Sequence, residues 1–318
     1  MTDSQPKSAH DFIIAADLGG TNLRAASIGA DGTILHQTKI RTPRTDQPDD
    51  IVRAFIEAMH ECGERTVAIG GRVGALSVAV PGTIDARTGT VLKAPNVPSL
   101  QGFALGAAME QASGLPVILA NDADAAAMGE VWQGAARGRD DVIMLTLGTG
   151  VGGGVVMGGE LWRGAHSAAG ELGHITLEAY GEPCPCGGRG CLEVYASATA
   201  IVRMAREAGI AGAATLNSRD VYDKAKAGDL AALEVFRRMG SYLGIGIASL
   251  VNVLDPELVV IGGGVAAGWD AFIEHIKREV QARAFSAVGK NVEVVPASCG
   301  DDAGILGAAY LAFKALRK

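Results

Sequence analysis

Residues 173 to 193 read GHITLEAYGEPCPCGGRGCLE, one histidine and three cysteines in a short polar segment. His174 stands ten residues before Cys184, and Cys184, Cys186 and Cys191 follow the spacing C-x-C-x4-C. Three thiolates and one imidazole complete a tetrahedral set with no open position, which describes a structural zinc ion. Three unliganded buried cysteines are a poorer account, because proline and glycine separate them and no apolar periodicity runs through the segment. The knuckle does not read as a nucleic-acid reader. Arg189 is its one basic residue, no recognition helix follows, and the chain's formal charge is −7. Glu171, three residues before His174, and Glu193, two after Cys191, flank the ligand set. By residue type alone each is a solvated loop charge.

Glycine runs offer a second chemistry. In Gly19-Gly20-Thr21 and Gly148-Thr149-Gly150, backbone N–H groups can approach phosphate oxygens with no Cβ in the way, and threonine adds a hydroxyl. The Walker pattern is absent from the sequence. Gly148, Gly150 and Gly153 satisfy GxGxxG but lead into VVM, a strand where a dinucleotide fold needs a helix, so that reading fails. A third run, Gly262, Gly263 and Gly264 in LVVIGGGV, reads equally as a floor beneath a nucleotide or as a plain strand-to-helix turn.

These residues need elements to hold them. The 318-residue chain is 48% hydrophobic, enough for one large or two ordinary cores. Strand-like runs occur at FIIAAD, GALSVAV, PVILA, VIMLTLG, GGGVVM, LVVIGGG and VEVVP. Helical spacing occurs in DDIVRAFIEAMHECG, and further helices are expected over Thr199–Ala208, Leu230–Leu254, Trp269–Ala284 and Ala303–Leu316. The alternation indicates an α/β architecture with sheets covered by helices. IIAADLGGTNLRAASI and IMLTLGTGVGGGVVM both read as strand, Gly/Thr turn, strand, as in a duplicated domain; two unrelated hairpins are the alternative. The longest apolar run, GSYLGIGIASLVNVLD, is shorter than a membrane span and has the small-residue pattern of a buried helix. The polar lead MTDSQPKSAHD has no signal-peptide character, and five cysteines, an odd count, favour thiols and metal ligation over disulfides. A soluble cytoplasmic protein is expected, with neither membrane nor nucleic acid as partner.

At Asp17 the pattern becomes specific. DLGGTNLR matches DxGGTxxR at the end of the first strand, and VILANDADAAAMGE, TLGTGVGGG, GELGH, CPCGGRGCLE and PELVVIGGGV follow in order. With these motifs the chain resembles the ROK family (repressors, open reading frames and kinases) of the sugar kinase, heat-shock protein and actin superfamily. The resemblance implies a two-domain, actin-like or ribonuclease H-like ATPase fold, α/β in class, with an interdomain cleft and a zinc-binding loop over 174–191. The expected N-terminal domain spans 1–120, joined by the last helix over 302–318, and the larger C-terminal domain spans 121–301. The implied cofactors are ATP, Mg2+ and structural Zn2+. Asp17 would orient the metal-bound phosphates, Gly19, Gly20, Thr21, Gly148, Thr149 and Gly150 would cradle them, and Gly262, Gly263 and Gly264 would lie under the nucleotide. Arg24 would support the first loop by an ion pair. Asp122 in the AND tripeptide would be the general base, with a helix cap as its alternative role, although Asp124 is the better cap candidate. Asn96 in KAPNVPSL, Asn121, Asp122, Glu171, His174 and Glu193 would bind the sugar, His174 using its second ring nitrogen. Leu100 stands about where the family often has tryptophan.

The activity so implied is ATP-dependent phosphorylation of a hexose, glucose to glucose 6-phosphate first, by a homodimer or homotetramer. Relatives acting on fructose, N-acetylglucosamine, N-acetylmannosamine or allose share most of these residues. A sugar-sensing repressor of the same family carries a helix-turn-helix domain before its first phosphate loop, whereas 16 residues precede Asp17 here. A chaperone- or actin-like ATPase needs neither the zinc knuckle nor GELGH.

Overall fold

The first strand is apolar almost without interruption, as strands buried on both faces are. In the computed structural model, which describes residues 12–212, 215–285, 287 and 289–317, β1 (Phe12–Leu18) is buried along nearly its whole length. The lead of residues 1–11 lies outside the described residues. β2 (Asn22–Gly29) returns antiparallel to β1, and β3 (Ile34–Arg41) pairs antiparallel on its outer side. β3 was not expected from sequence. Its residues alternate half-buried with exposed, because it is an edge strand that blunts its open side with polar groups. Proline at the first turn and Asp49 and Asp50 beside it start α1 (Pro48–Ala68), which buries Ile51, Val52, Phe55 and Met59.

β4 (Val73–Val80) joins β1 in parallel, and a small hairpin of β5 (Thr83–Asp85) and β6 (Thr90–Lys93) follows. α2 (Leu105–Ser113), ended by Gly114 in the left-handed conformation, leads to β7 (Val117–Asn121), parallel to β4, and then α3 (Asp122–Gln133). The sheet order is β3-β2-β1-β4-β7.

The second unit repeats this plan. β8 (Val142–Leu147) and β9 (Val151–Met157) form an antiparallel hairpin, with β10 (Glu160–Leu161) outside it. The knuckle segment, α4 (Glu193–Ala196), α5 (Ala198–Glu207), α6 (Ser218–Lys226) and α7 (Leu230–Leu254) precede β11 (Leu258–Gly262), which is parallel to β8. α8 (Ile273–Arg283) leads to β12 (Glu293–Pro296), parallel to β11, giving the order β10-β9-β8-β11-β12. Each five-stranded sheet is thus an antiparallel hairpin with a third strand outside it, continued on the other side by two parallel strands, the topology expected of a duplicated domain. α7 packs on α8 with Gly240 and Gly244 beneath the α8 backbone. It is the buried helix foreseen in the longest apolar run, and no helix among the described residues is long and apolar enough to cross a membrane.

The chain ends in α9 (Ala303–Leu316), which belongs to the first unit; what differs from the sequence reading is where the main segment of that unit ends. The first unit comprises 1–138, 161–169 and 301–318, and the second 139–160 and 170–300. The boundary falls after α3 rather than at Ala120, because α3 lies directly on α9. A Cβ at Gly307 would stand 1.6 Å from the Ala125 carbonyl oxygen and one at Gly129 2.2 Å from that of Ala303. Trp132 stacks on Tyr310 with ring centroids 5.2 Å apart. Gly307→Ala is therefore expected to destabilise the first unit by about 2–3 kcal/mol, read as a lower urea midpoint; an unchanged midpoint would refute the close backbone contact.

Candidate active site and metal centre

Ligands of open α/β sheets collect outside the carboxyl ends of the parallel strands. In the first unit those ends carry Asp17 on β1 and Asn121 on β7, with Asp122 next in the chain. The β1–β2 turn holds Gly19, Gly20 and Thr21, closed by Gly19 N–H on the Asn22 carbonyl at 2.9 Å. Thr42, which sequence reasoning missed, secures that turn: its hydroxyl donates to the Gly19 carbonyl at 2.6 Å and its N–H to that of Thr21 at 3.0 Å. Arg24, opposite Asp17 in the β1–β2 register, donates to the Asp17 carboxylate at 2.5 Å. Its role is to hold Asp17, as the ion-pair reading required.

Asn121, not Asp122 or Asp124, caps α3. Its Oδ1 accepts the N–H groups of Ala123 at 2.9 Å and Asp124 at 3.1 Å. Its amide donates to the Gly82 carbonyl at 2.8 Å, so one side chain fixes both the helix start and the turn entering β5. Asn wins because the cap is the last extended residue before the helix, and position 121 is the strand's own end. Asp122 is left as the first helical residue, exposed at the strand ends and favoured there by the helix dipole. Asn96 lies exposed in the turn after β6, and nearby Leu100 is fully buried.

In the second unit the β8–β9 turn holds Gly148, Thr149 and Gly150, and β11 ends beside it in Gly262, Gly263 and Gly264. Gly263 has φ of +83°, and a Cβ there would lie 2.5 Å from the Leu147 carbonyl oxygen, so only glycine lets the two turns sit together. The first turn of α5 anchors the β8–β9 turn: Ala198 N–H donates to the Gly148 carbonyl and the Thr199 hydroxyl to that of Thr149, both at 2.8 Å. A groove beside Gly264 is lined by Ser218, Arg219 and Tyr222 of α6. Those residues carried no sequence signal, since they belong to an ordinary helix whose place beside Gly264 only the fold creates.

Next to these turns the predicted ligand set comes together. One donor atom from each of His174, Cys184, Cys186 and Cys191 lies within 4.8 Å of the others. The sulfurs of Cys186 and Cys191 are 3.7 Å apart, and Cys184 Sγ is 3.7 Å from His174 Nδ1. A tetrahedron with Zn–S bonds of about 2.3 Å has edges of about 3.8 Å, so the residues fit zinc. Bound there, the ion would supply shape: it has four protein ligands and no place for substrate. The same edge assigns Nδ1 to the metal and turns Nε2 toward Glu171, whose carboxylate is 3.9 Å away. Burial raises the thiol pKa of Cys184 and pushes that of Cys191 up to about 12, while the Gly188 N–H lowers that of Cys186. Glu193 begins α4, and its carboxylate accepts the Val151 N–H at 3.0 Å. The GELGH turn packs against β9, since a Cβ at Gly173 would stand 2.1 Å from the Val151 carbonyl oxygen.

A family model described as the ROK family matches residues 13–315. A glucokinase of Halalkalibacterium halodurans is 37% identical over 94% of both chains. The ROK hexokinase of Thermus thermophilus is 36% identical, with a TM-score of 0.83 over 96% of this chain and 99% of that one. A ROK glucokinase of Streptomyces griseus, solved with glucose and AMPPNP, is 34% identical, with a TM-score of 0.82 over 95% and 99%. The fold is that of actin-like ATPases, and the chain belongs to the ROK family.

Proposed function

We propose that the chain is an ATP-dependent hexose kinase that converts glucose to glucose 6-phosphate. The observation that carries this is Asp122, a carboxylate set at the carboxyl end of β7 by the Asn121 cap, in the unit whose β1 ends in the Asp17 turn. Phosphoryl transfer asks the protein for positioning, charge neutralisation and one proton acceptor. Asp122 takes the proton of the attacking sugar hydroxyl as its oxygen bonds to the γ-phosphorus, and ADP leaves with the electrons of the broken P–O bond. Asp17, held by Arg24, would hold the Mg2+ that accompanies the phosphates, and that ion would supply charge neutralisation. The turns at 19–21 and 148–150 supply N–H and hydroxyl donors, and Gly262, Gly263 and Gly264 lie under the nucleotide. Asn96, Asn121, Glu171, His174 and Glu193 contact the sugar, Glu171 and His174 being already directed at one another.

Glucose is favoured by the glucokinase relatives, one of them solved with that sugar. The test is a coupled assay of the purified chain with MgATP and a panel of glucose, fructose, allose, N-acetylglucosamine and N-acetylmannosamine. The highest kcat/KM is expected for glucose. A higher value for another sugar would overturn the substrate, and no turnover with any would overturn the kinase reading.

A further inference from the structure

Glu193 touches two structures at once. One carboxylate oxygen accepts the Val151 N–H at 3.0 Å, immediately after the Gly148-Thr149-Gly150 turn. The same oxygen occupies the space beside Gly150 that a Cβ would need, 2.1 Å from the ideal Cβ position. The other oxygen lies 3.9 Å from the sulfur of Cys184, one of the four metal-ligand candidates. The residue is also two positions after Cys191 and opens α4, whose next neighbour α5 holds the Gly148 and Thr149 carbonyls. The turn is therefore held by α5 on one side and by Glu193 on the other, and the chain itself ties Glu193 to the knuckle two residues after Cys191.

We infer that Glu193 is a positioning residue for the nucleotide: through its hydrogen bond to Val151, the geometry of the metal knuckle sets the shape of the 148–150 turn and with it the affinity for ATP. This rests on the kinase reading, which makes that turn a phosphate cradle, and goes beyond a sugar contact for Glu193. A residue that only touched sugar would leave nucleotide binding alone. A residue that acted only through its charge would repel phosphate, and neutralising it would tighten nucleotide binding. A strut behaves otherwise, because glutamine keeps an acceptor for the Val151 N–H whereas leucine leaves that N–H unpaired.

The experiment measures AMPPNP affinity by calorimetry in the absence of sugar, on zinc-loaded wild type, Glu193→Gln and Glu193→Leu, with metal content and circular dichroism recorded for each. The expected result is a Kd near wild type for Glu193→Gln and about tenfold weaker for Glu193→Leu. Chelating the zinc should weaken AMPPNP binding to wild type but add little in Glu193→Leu, since the link is already cut. Equal or tighter binding by a folded, zinc-loaded Glu193→Leu protein would overturn the inference, as would an equal loss in both variants. Should the leucine variant not fold, the zinc-free wild type decides: unchanged AMPPNP affinity overturns the coupling. Wild type that binds no nucleotide at all would instead overturn the kinase reading itself.

Discussion

Asp122→Asn is expected to lower kcat by about 10²–10⁴-fold while glucose binding changes little. The amide matches the carboxylate in shape and can still face a sugar hydroxyl, but it cannot take the proton that must leave during attack. The helix start survives the change, because the N–H groups of Ala123 and Asp124 are capped by Asn121. What α3 loses is one negative charge in its first turn, worth about 0.3–1 kcal/mol at an exposed position. That small cost makes the variant a clean probe of chemistry. A kcat near wild type would remove Asp122 as the base. A large rise in glucose Kd with kcat preserved would make it a binding residue instead. The informative pair of measurements is therefore turnover at saturating glucose and MgATP, and glucose affinity by calorimetry.

How much of this was legible in the sequence differs from element to element. α7 and α9 were read with their observed bounds, because each is a long apolar stretch with a clear start, Asp229 capping the first. The metal set was legible because four donors of two residue types sit in one local segment, where spacing alone limits what they can do. β3, the β5–β6 hairpin and α2 were not, since β3 alternates in exposure but carries His36 and Thr38 on its inner face, three- or four-residue strands give no period, and nine-residue α2 is short. The unit boundary was misplaced for a different reason. It depends on Gly129 and Gly307 allowing two helices to touch backbone to backbone, and no single segment carries that information. The α3 cap was misassigned because aspartate and asparagine cap equally well by type; only the strand's end point, at Asn121, decides among three adjacent candidates. Arg24 was legible as an ion-pairing support for the first loop, and its partner became plain only when the hairpin register put it opposite Asp17. The groove beside Gly264 gave no local signal at all.

The metal knuckle carries the second large expected effect. Cys186→Ser should strip the protein of stoichiometric zinc, lower its thermal midpoint and weaken glucose binding by about 10–100-fold, the range seen when support for a metal site is removed. The chain of causes is short. Cys186 is exposed and pairs across 3.7 Å with Cys191, so losing it opens one edge of the ligand set. His174 then loses the partner that directs its Nε2 toward Glu171, and two residues proposed to meet the sugar lose their common orientation. The pH dependence has a definite sign. An unfolded chain that has released zinc carries protonated thiols below the ordinary thiol value of 9.0, whereas the zinc-bound fold holds thiolates. The unfolded state thus binds more protons, and zinc-derived stability rises with pH and is lost as pH falls. In the zinc-free fold the sign reverses and the window moves. Burial raises the Cys184 and Cys191 pKa values, so their contribution is complete below pH 9.0 and declines as pH rises toward the Cys191 value of about 12. Between pH 6 and 8, then, three zinc-bound thiolates make the loaded protein pH-sensitive, whereas in the zinc-free protein Cys184 and Cys191 add no slope and only the lowered Cys186 thiol adds one of the same sign. The difference in melting temperature between the two should narrow from pH 8 to pH 6, measured with zinc fixed at low free concentration. A constant difference, or wild type purified without zinc and with full glucose affinity, would show that these four side chains are not the metal site proposed.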